Sequence, residues 1–202
     1  MNHFGKKLIA GLASLLALVL LALTTAFNTM DRAALAEQAT PIARVELTAT
    51  PAFSPETVSD DVLWLARCIY SETKQPAEQE LVAWVIRNRV ETRYRGQSTY
   101  RGTVLDPFQF SAFNPGSSKR RHYLNLNPTS SARGWMRALE IAHEVYHAPS
   151  HERPFPKQTR HFYSERSMVG GATPKWARGK TPIRLTGRTI DARRFRFYAN
   201  IA

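Results

Sequence analysis

Two groups of residues in this chain have types and spacings suited to chemistry. The first centres on Glu72, in Tyr70-Ser71-Glu72, followed by Thr73-Lys74-Gln75-Pro76. A carboxylic acid that stays protonated near neutral pH can protonate the leaving oxygen of a glycosidic bond. Partial burial against apolar atoms keeps it protonated, because the charged form loses hydration. The second group is His143-Glu144-Val145-Tyr146-His147, an H-E-x-x-H sequence. On a helix that pattern aligns two imidazoles as zinc peptidases do, with the glutamate to activate water. His151, His161 and Glu165 follow, none at a diagnostic spacing for a third ligand. The helical wheel also sets both histidines on a polar flank. The reading therefore gives catalysis to Glu72, with no metal and no cofactor, and keeps a zinc metallopeptidase or amidase as the alternative. Cys68 is the only cysteine, which excludes an intrachain disulfide and an all-cysteine zinc site. Its apolar neighbours mark it as a small buried hydrophobe.

The elements that must position Glu72 are legible from periodicity. Ser59 reads as an N-cap, with Asp60 and Asp61 in the first turn, where the helix dipole favours acids. Val62, Leu65, Ala66 and Ile69 then recur at i, i+3, i+4 and i+7, a core-facing stripe. Glu72 falls one turn beyond Ile69, on the border between core and solvent. Pro76 suits the first position of a second helix, whose apolar face is Leu81, Val82, Val85, Ile86 and Val90, with Gly96 as its stop. A third helix is expected over 132–147, with Trp135, Ala138, Leu139, Ala142, Val145 and Tyr146 inward and Pro149 beyond its end. Residues 94–100 and 115–131 read as polar loops, and 103–114 as short extended or irregular structure. From His161 onward, HFYSERSM, PKWARG and RFRFY are separated by Gly and Pro, which predicts short strands or hairpins with basic faces. Helices first and extended segments last make an α+β chain.

Tyr70-Ser71-Glu72 before a Pro-initiated helix ending VIRNRV, then LDPFQFSAF, then HFY and PKWARG, resembles the SleB-like cell wall hydrolase family. The resemblance spans Leu63 to Tyr198. It implies a compact, helix-rich core of the lysozyme-like or transglycosylase-like type, and cleavage of the glycan strands of peptidoglycan, including spore cortex. It also implies that Glu72 is the single general acid/base of a lytic transglycosylase. In that chemistry a hydroxyl of the muramic acid attacks its own anomeric carbon, so no protein nucleophile is needed. Gln109 and Ser111 are then candidates for hydrogen bonds to the sugar. Phe110, Phe113, Tyr163 and Trp176 are candidate ring faces, and Tyr70 and His161 further substrate contacts. The sequence departs from the family at one place. Glu-Ala-Arg-Gly-Glu is replaced by Glu72-Thr73-Lys74-Gln75 and Pro76, so the second acid is missing.

The N-terminus bears on the compartment. Lys6 and Lys7 precede an apolar run from Leu8 to Phe27. Residues 1–30 read as a signal peptide or an N-terminal membrane anchor, with everything beyond facing outward. Residues 31–57, with prolines at 41, 51 and 55, read as a flexible linker, and 58–202 as the catalytic domain. The formal charge is +12 and the isoelectric point about 10.3. Two sets of basic residues carry much of it, one from Arg87 to Arg121 that includes Arg89, the other from Arg178 to Arg196. Such a surface favours a polyanion. Export removes nucleic acid from the candidates and leaves anionic wall polymer or anionic lipid. The expected partners are peptidoglycan glycan strands and, through the N-terminal segment, the inner membrane. The protein is expected to be a periplasmic or membrane-anchored monomer. A wall-binding module without turnover is the third reading.

Overall fold

The computed structural model describes residues 52–185 and 190–201. The leader assigned to 1–30, and the 31–57 linker up to residue 51, lie outside the described residues. Helix α1 spans Asp60–Glu72. It starts where predicted, with the Ser59 hydroxyl accepting the Val62 N–H at 3.3 Å. It buries Trp64, Cys68 and Tyr70 as well as the predicted stripe. The reason is position: α1 packs against α2 (Pro76–Glu91), α3 (Tyr100–Leu105) and, most extensively, α5 (Trp135–His147). A helix covered on several sides has no solvent face to fill with charge.

Helix α2 begins with Pro76 at its first position and buries six consecutive residues, Leu81 to Ile86. Four polar residues on it, Glu78, Gln79, Asn88 and Arg89, are buried too. The Asn88 side chain donates to the Thr159 carbonyl at 2.9 Å, and Arg89 Nε donates to the Arg160 carbonyl at 2.7 Å. These bonds stitch α2 to strand β1 (Thr159–Tyr163). Strand β2 (Arg196–Ala199) pairs antiparallel with β1, Phe162 opposite Phe197 and Tyr163 opposite Arg196. The outcome is a helix-rich α+β unit with one two-stranded sheet among the described residues.

Several local expectations are corrected. Tyr94–Gly96 is a helical turn, and Tyr100 opens α3, capped by the Thr99 hydroxyl. The 115–131 loop contains α4 (Arg120–Leu124). The third predicted helix starts at Trp135 rather than 132. The expected hairpins collapse to one strand pair of distant partners. Glu165–Ser167 and Lys175–Ala177 are helical turns, because Gly and Pro break the chain before a strand can extend. Among the described residues no helix is long and apolar enough to cross a membrane.

Candidate active site

Glu72 is the last residue of α1, and Thr73 turns to an extended conformation. The turn that follows is tied down by its own polar groups. The Thr73 hydroxyl donates to Glu78 Oε2 at 2.5 Å and accepts the Gln75 N–H at 3.1 Å. Gln79 Nε2 donates to the Thr73 carbonyl at 2.9 Å. Arg194, from the far end of the chain, grips the Glu78 carboxylate with both Nε and Nη2, at 2.5 and 2.8 Å. A two-pronged guanidinium–carboxylate contact of this kind is among the stronger polar interactions in proteins. Glu78 is therefore a buried structural anchor, committed to Arg194 and Thr73, and has no second-acid role.

Glu72 opens onto a cleft of about 470 Å³. Phe108, Gln109 and Ser111 line it together with 162–164, 166–168, Arg194 and Phe195. The side chain is half-buried, yet its carboxyl is closely surrounded by protein atoms at the cleft floor. Burial pushes its pKa up to about 7, against the opposing pull of the Arg89 guanidinium. The carboxyl also sits at the negative end of the α1 dipole, which disfavours its ionised form. Among the described residues no hydrogen bond or ion pair engages it.

Arg89 is the residue that sequence reading misplaced. It was expected on a solvated basic face; it is 5 % exposed and lines the floor beside Glu72. Its guanidinium lies 5.1 Å from the Phe110 ring centre and 5.5 Å from that of Tyr94, and its Nη1 is buried without a partner. Arg87, assigned to the same face, is also turned inward: its Nη1 caps the end of α5 through the Val145 and Ala148 carbonyls, at 2.6 and 2.7 Å.

Of the predicted substrate contacts, Gln109, Ser111 and Tyr163 line the cleft with Glu72. Tyr70 does not. It is buried edge-on to Tyr123 and Trp135, and its hydroxyl donates to the Arg133 carbonyl at 2.9 Å. Phe110 and Phe113 are core residues, 1 % and 2 % exposed. His161 accepts or donates at Nε2 with the Tyr94 hydroxyl at 3.0 Å and packs on Trp176. Burial, with Arg89 and Arg160 nearby, lowers its pKa to about 4, so it is neutral at working pH. Trp176 joins Tyr163, Tyr198 and Ile201 in a small second core. Aromatic side chains bury more area than any others, and packing claims Tyr70, Phe110, Phe113 and Trp176 while Tyr163 serves both the second core and the cleft lining.

A second hollow of about 510 Å³, lined by Ser71, Asn114, Ser117 and Lys119 among others, meets the first at Ser111. The second hollow reaches Ser71, the sequence neighbour of Glu72, but not Glu72 itself. A third hollow, of about 430 Å³ between Pro182–Leu185 and Phe195–Phe197, has no carboxylate, histidine or nucleophile in its lining.

His143, Glu144 and His147 lie together at the end of α5. His143 is buried against the Phe53 ring, 5.6 Å between centroids, rather than solvated on a polar flank. Glu144 is exposed and pairs with Arg137 at 3.4 Å. Among the described residues no three His, Cys, Asp or Glu side chains converge as metal ligands. No family model, curated protein or solved structure matches the chain.

Proposed function

We propose that this chain is an exported enzyme that cleaves the glycan strands of peptidoglycan as a lytic transglycosylase, on a core of the lysozyme-like type. The observation that carries the reading is Glu72. It bears its proton near neutrality, sits alone at the floor of a cleft, and has no committed partner. Glu72 is also the single carboxylate in the cleft lining. Hydrolysis by inversion or retention uses two carboxyls, about 5 to 9.5 Å apart. With one acid, a nucleophile carried by the substrate balances the reaction. Glu72 gives its proton to the leaving glycosidic oxygen as the C–O bond breaks. A hydroxyl of the muramic acid then bonds to the anomeric carbon and returns its proton to Glu72. Between the two steps Glu72 is an anion, and the buried Arg89 guanidinium stabilises it. Gln109 and Ser111, both in the cleft lining, supply the hydrogen bonds to the sugar in this reading. The Lys6–Lys7 and Leu8–Phe27 segment supplies export or anchoring, and no cofactor takes part.

The test is release of soluble muropeptides from purified sacculi. Glu72→Gln is expected to lower release by at least about 100-fold, the usual worth of a positioned acid. Chelator is expected to change nothing. Loss of activity with chelator or in Glu144→Gln, with Glu72→Gln active, would transfer the chemistry to zinc. Binding to sacculi without release by either protein would leave a wall-binding module.

A further inference from the structure

Four aromatic side chains line the cleft: Phe108, Phe162, Tyr163 and Phe195. Three are packed into the fold. Phe162 lies 5.6 Å from Phe195, and Tyr163 stacks on Tyr198 at 6.0 Å. Phe108 is 84 % exposed, and among the described residues no other ring engages it. Its backbone is in the left-handed region, at φ +64°.

The Gln109 N–H reaches the Asp106 carbonyl at 3.2 Å, so Asp106-Pro107-Phe108-Gln109 is a tight turn. Proline stands at its second position and the positive φ falls on its third. That third position favours Gly or Asn, because a Cβ there crowds the neighbouring carbonyl. The strained conformation is braced from both sides. The Phe108 N–H donates to Asn114 Oδ1 at 2.9 Å, and Arg95 Nε holds the Asp106 carboxylate at 2.6 Å. Asn114 also lines the second hollow. A large ring thus occupies a position where glycine would be easier, and folding buries little of it. Strain kept at a cleft wall points to use by a ligand.

We propose that Phe108 is a saccharide-stacking platform, receiving the apolar face of an N-acetylhexosamine ring of the strand beside the bond that Glu72 protonates. A β-linked pyranose presents a flat face of C–H groups, and its hydroxyls and amide project from the rim. The Phe108 ring meets the first, and Gln109 and Ser111 are within the same lining for the second. This inference rests on the glycan-cleaving reading above.

The experiment uses full-length protein and glycan strands freed of peptide stems. Affinity is measured by calorimetry in the Glu72→Gln background, and KM and kcat in the active one. Phe108→Gly is expected to weaken binding and raise KM about tenfold, equal to about 1.4 kcal/mol, with kcat nearly unchanged. Phe108→Trp is expected to stay within about threefold of the parent, since it keeps a ring face. Thermal denaturation of Phe108→Gly is expected at or above the parent temperature, since glycine relieves the positive φ. Phe108→Ala, which keeps the Cβ and loses the ring, gives the same comparison should the glycine variant not fold. Unchanged binding and KM in the ring-less variants would overturn the proposal, as would a loss that Phe108→Trp shares. Affinity and release are separate readouts: unchanged affinity in the ring-less variants overturns the role of Phe108, whereas release by Glu72→Gln overturns the catalytic reading and leaves KM of the ring-less variants to decide the role of Phe108.

Discussion

Glu72 and Arg89 share the floor of one cleft, and the difference in their solvation sets what each can do. Burial favours the neutral acid, and the neighbouring guanidinium limits the rise to about 7. The proton donor is thus in its active form below that pH, and kcat/KM on glycan strands is expected to fall with a one-proton limb near pH 7. Replacing Arg89 by Met removes the stabilising charge and is expected to move that limb upward. Stability is linked to the same shift. The folded carboxyl binds its proton more tightly than the unfolded one, so stability falls as pH rises from 4.5 to about 7. Glu72→Gln is therefore expected to match wild type below pH 4.5 and to exceed it by roughly 1 to 3 kcal/mol above pH 7, read as thermal denaturation at both pH values. Glu72 was legible because Ile69 fixes the buried stripe and Glu72 lies one turn on. Arg89 was not, because an arginine in a basic sequence reads as solvent-facing. A signal was present: Arg89 falls four residues after Val85 and three after Ile86, on the same buried stripe. Phe108 was passed over for Phe110, although Pro107 before it marks a turn, where side chains project outward.

At the scale of elements, the turn between α1 and α2 holds the acid in place, and the end of the chain holds the turn. Arg194 lies 116 residues from Glu78 in sequence and makes the fork that anchors it. Arg194 is about one-third exposed and Glu78 is buried, so removing the arginine leaves a buried carboxylate without its counter-charge. Arg194→Met is expected to destabilise the fold by about 3 kcal/mol, and adding Glu78→Gln to recover a good part of that loss. Denaturant unfolding of the two singles and the double checks the coupling; additive losses would mean the pair is not coupled. The α1 and α2 boundaries were readable from Ser59 and Pro76, since caps and proline act locally. The strand pairing was not, because β1 and β2 pair directly with each other from distant parts of the chain, with no short turn between them to signal the pair. The short α3 and α4 were missed for a related reason: helices of six and five residues carry too few turns to show a period.

At the scale of the described molecule, two hollows of about 470 and 510 Å³ share Ser111 in their linings, and Glu72 lines the first of them. The described surface carries many basic side chains. Arg101, Lys119, Arg121, Arg178, Lys180 and Arg193 are exposed, although Arg87 and Arg89 are not. Peptide stems on the strand carry carboxylates, and attraction to them weakens as salt screens it. The helix-rich α+β character was legible from the order of the periodic segments. The cleft was not, because it is made by residues from 72 to 195 that only folding brings together. A single acid in that cleft predicts a product as well as a rate. The decisive measurement is mass spectrometry of the glycan ends released from sacculi in isotopically labelled water. Anhydro-muramyl ends without solvent oxygen are expected from the wild type, and no release from Glu72→Gln. Reducing ends carrying the label, or any substantial release by Glu72→Gln, would contradict this single-acid mechanism.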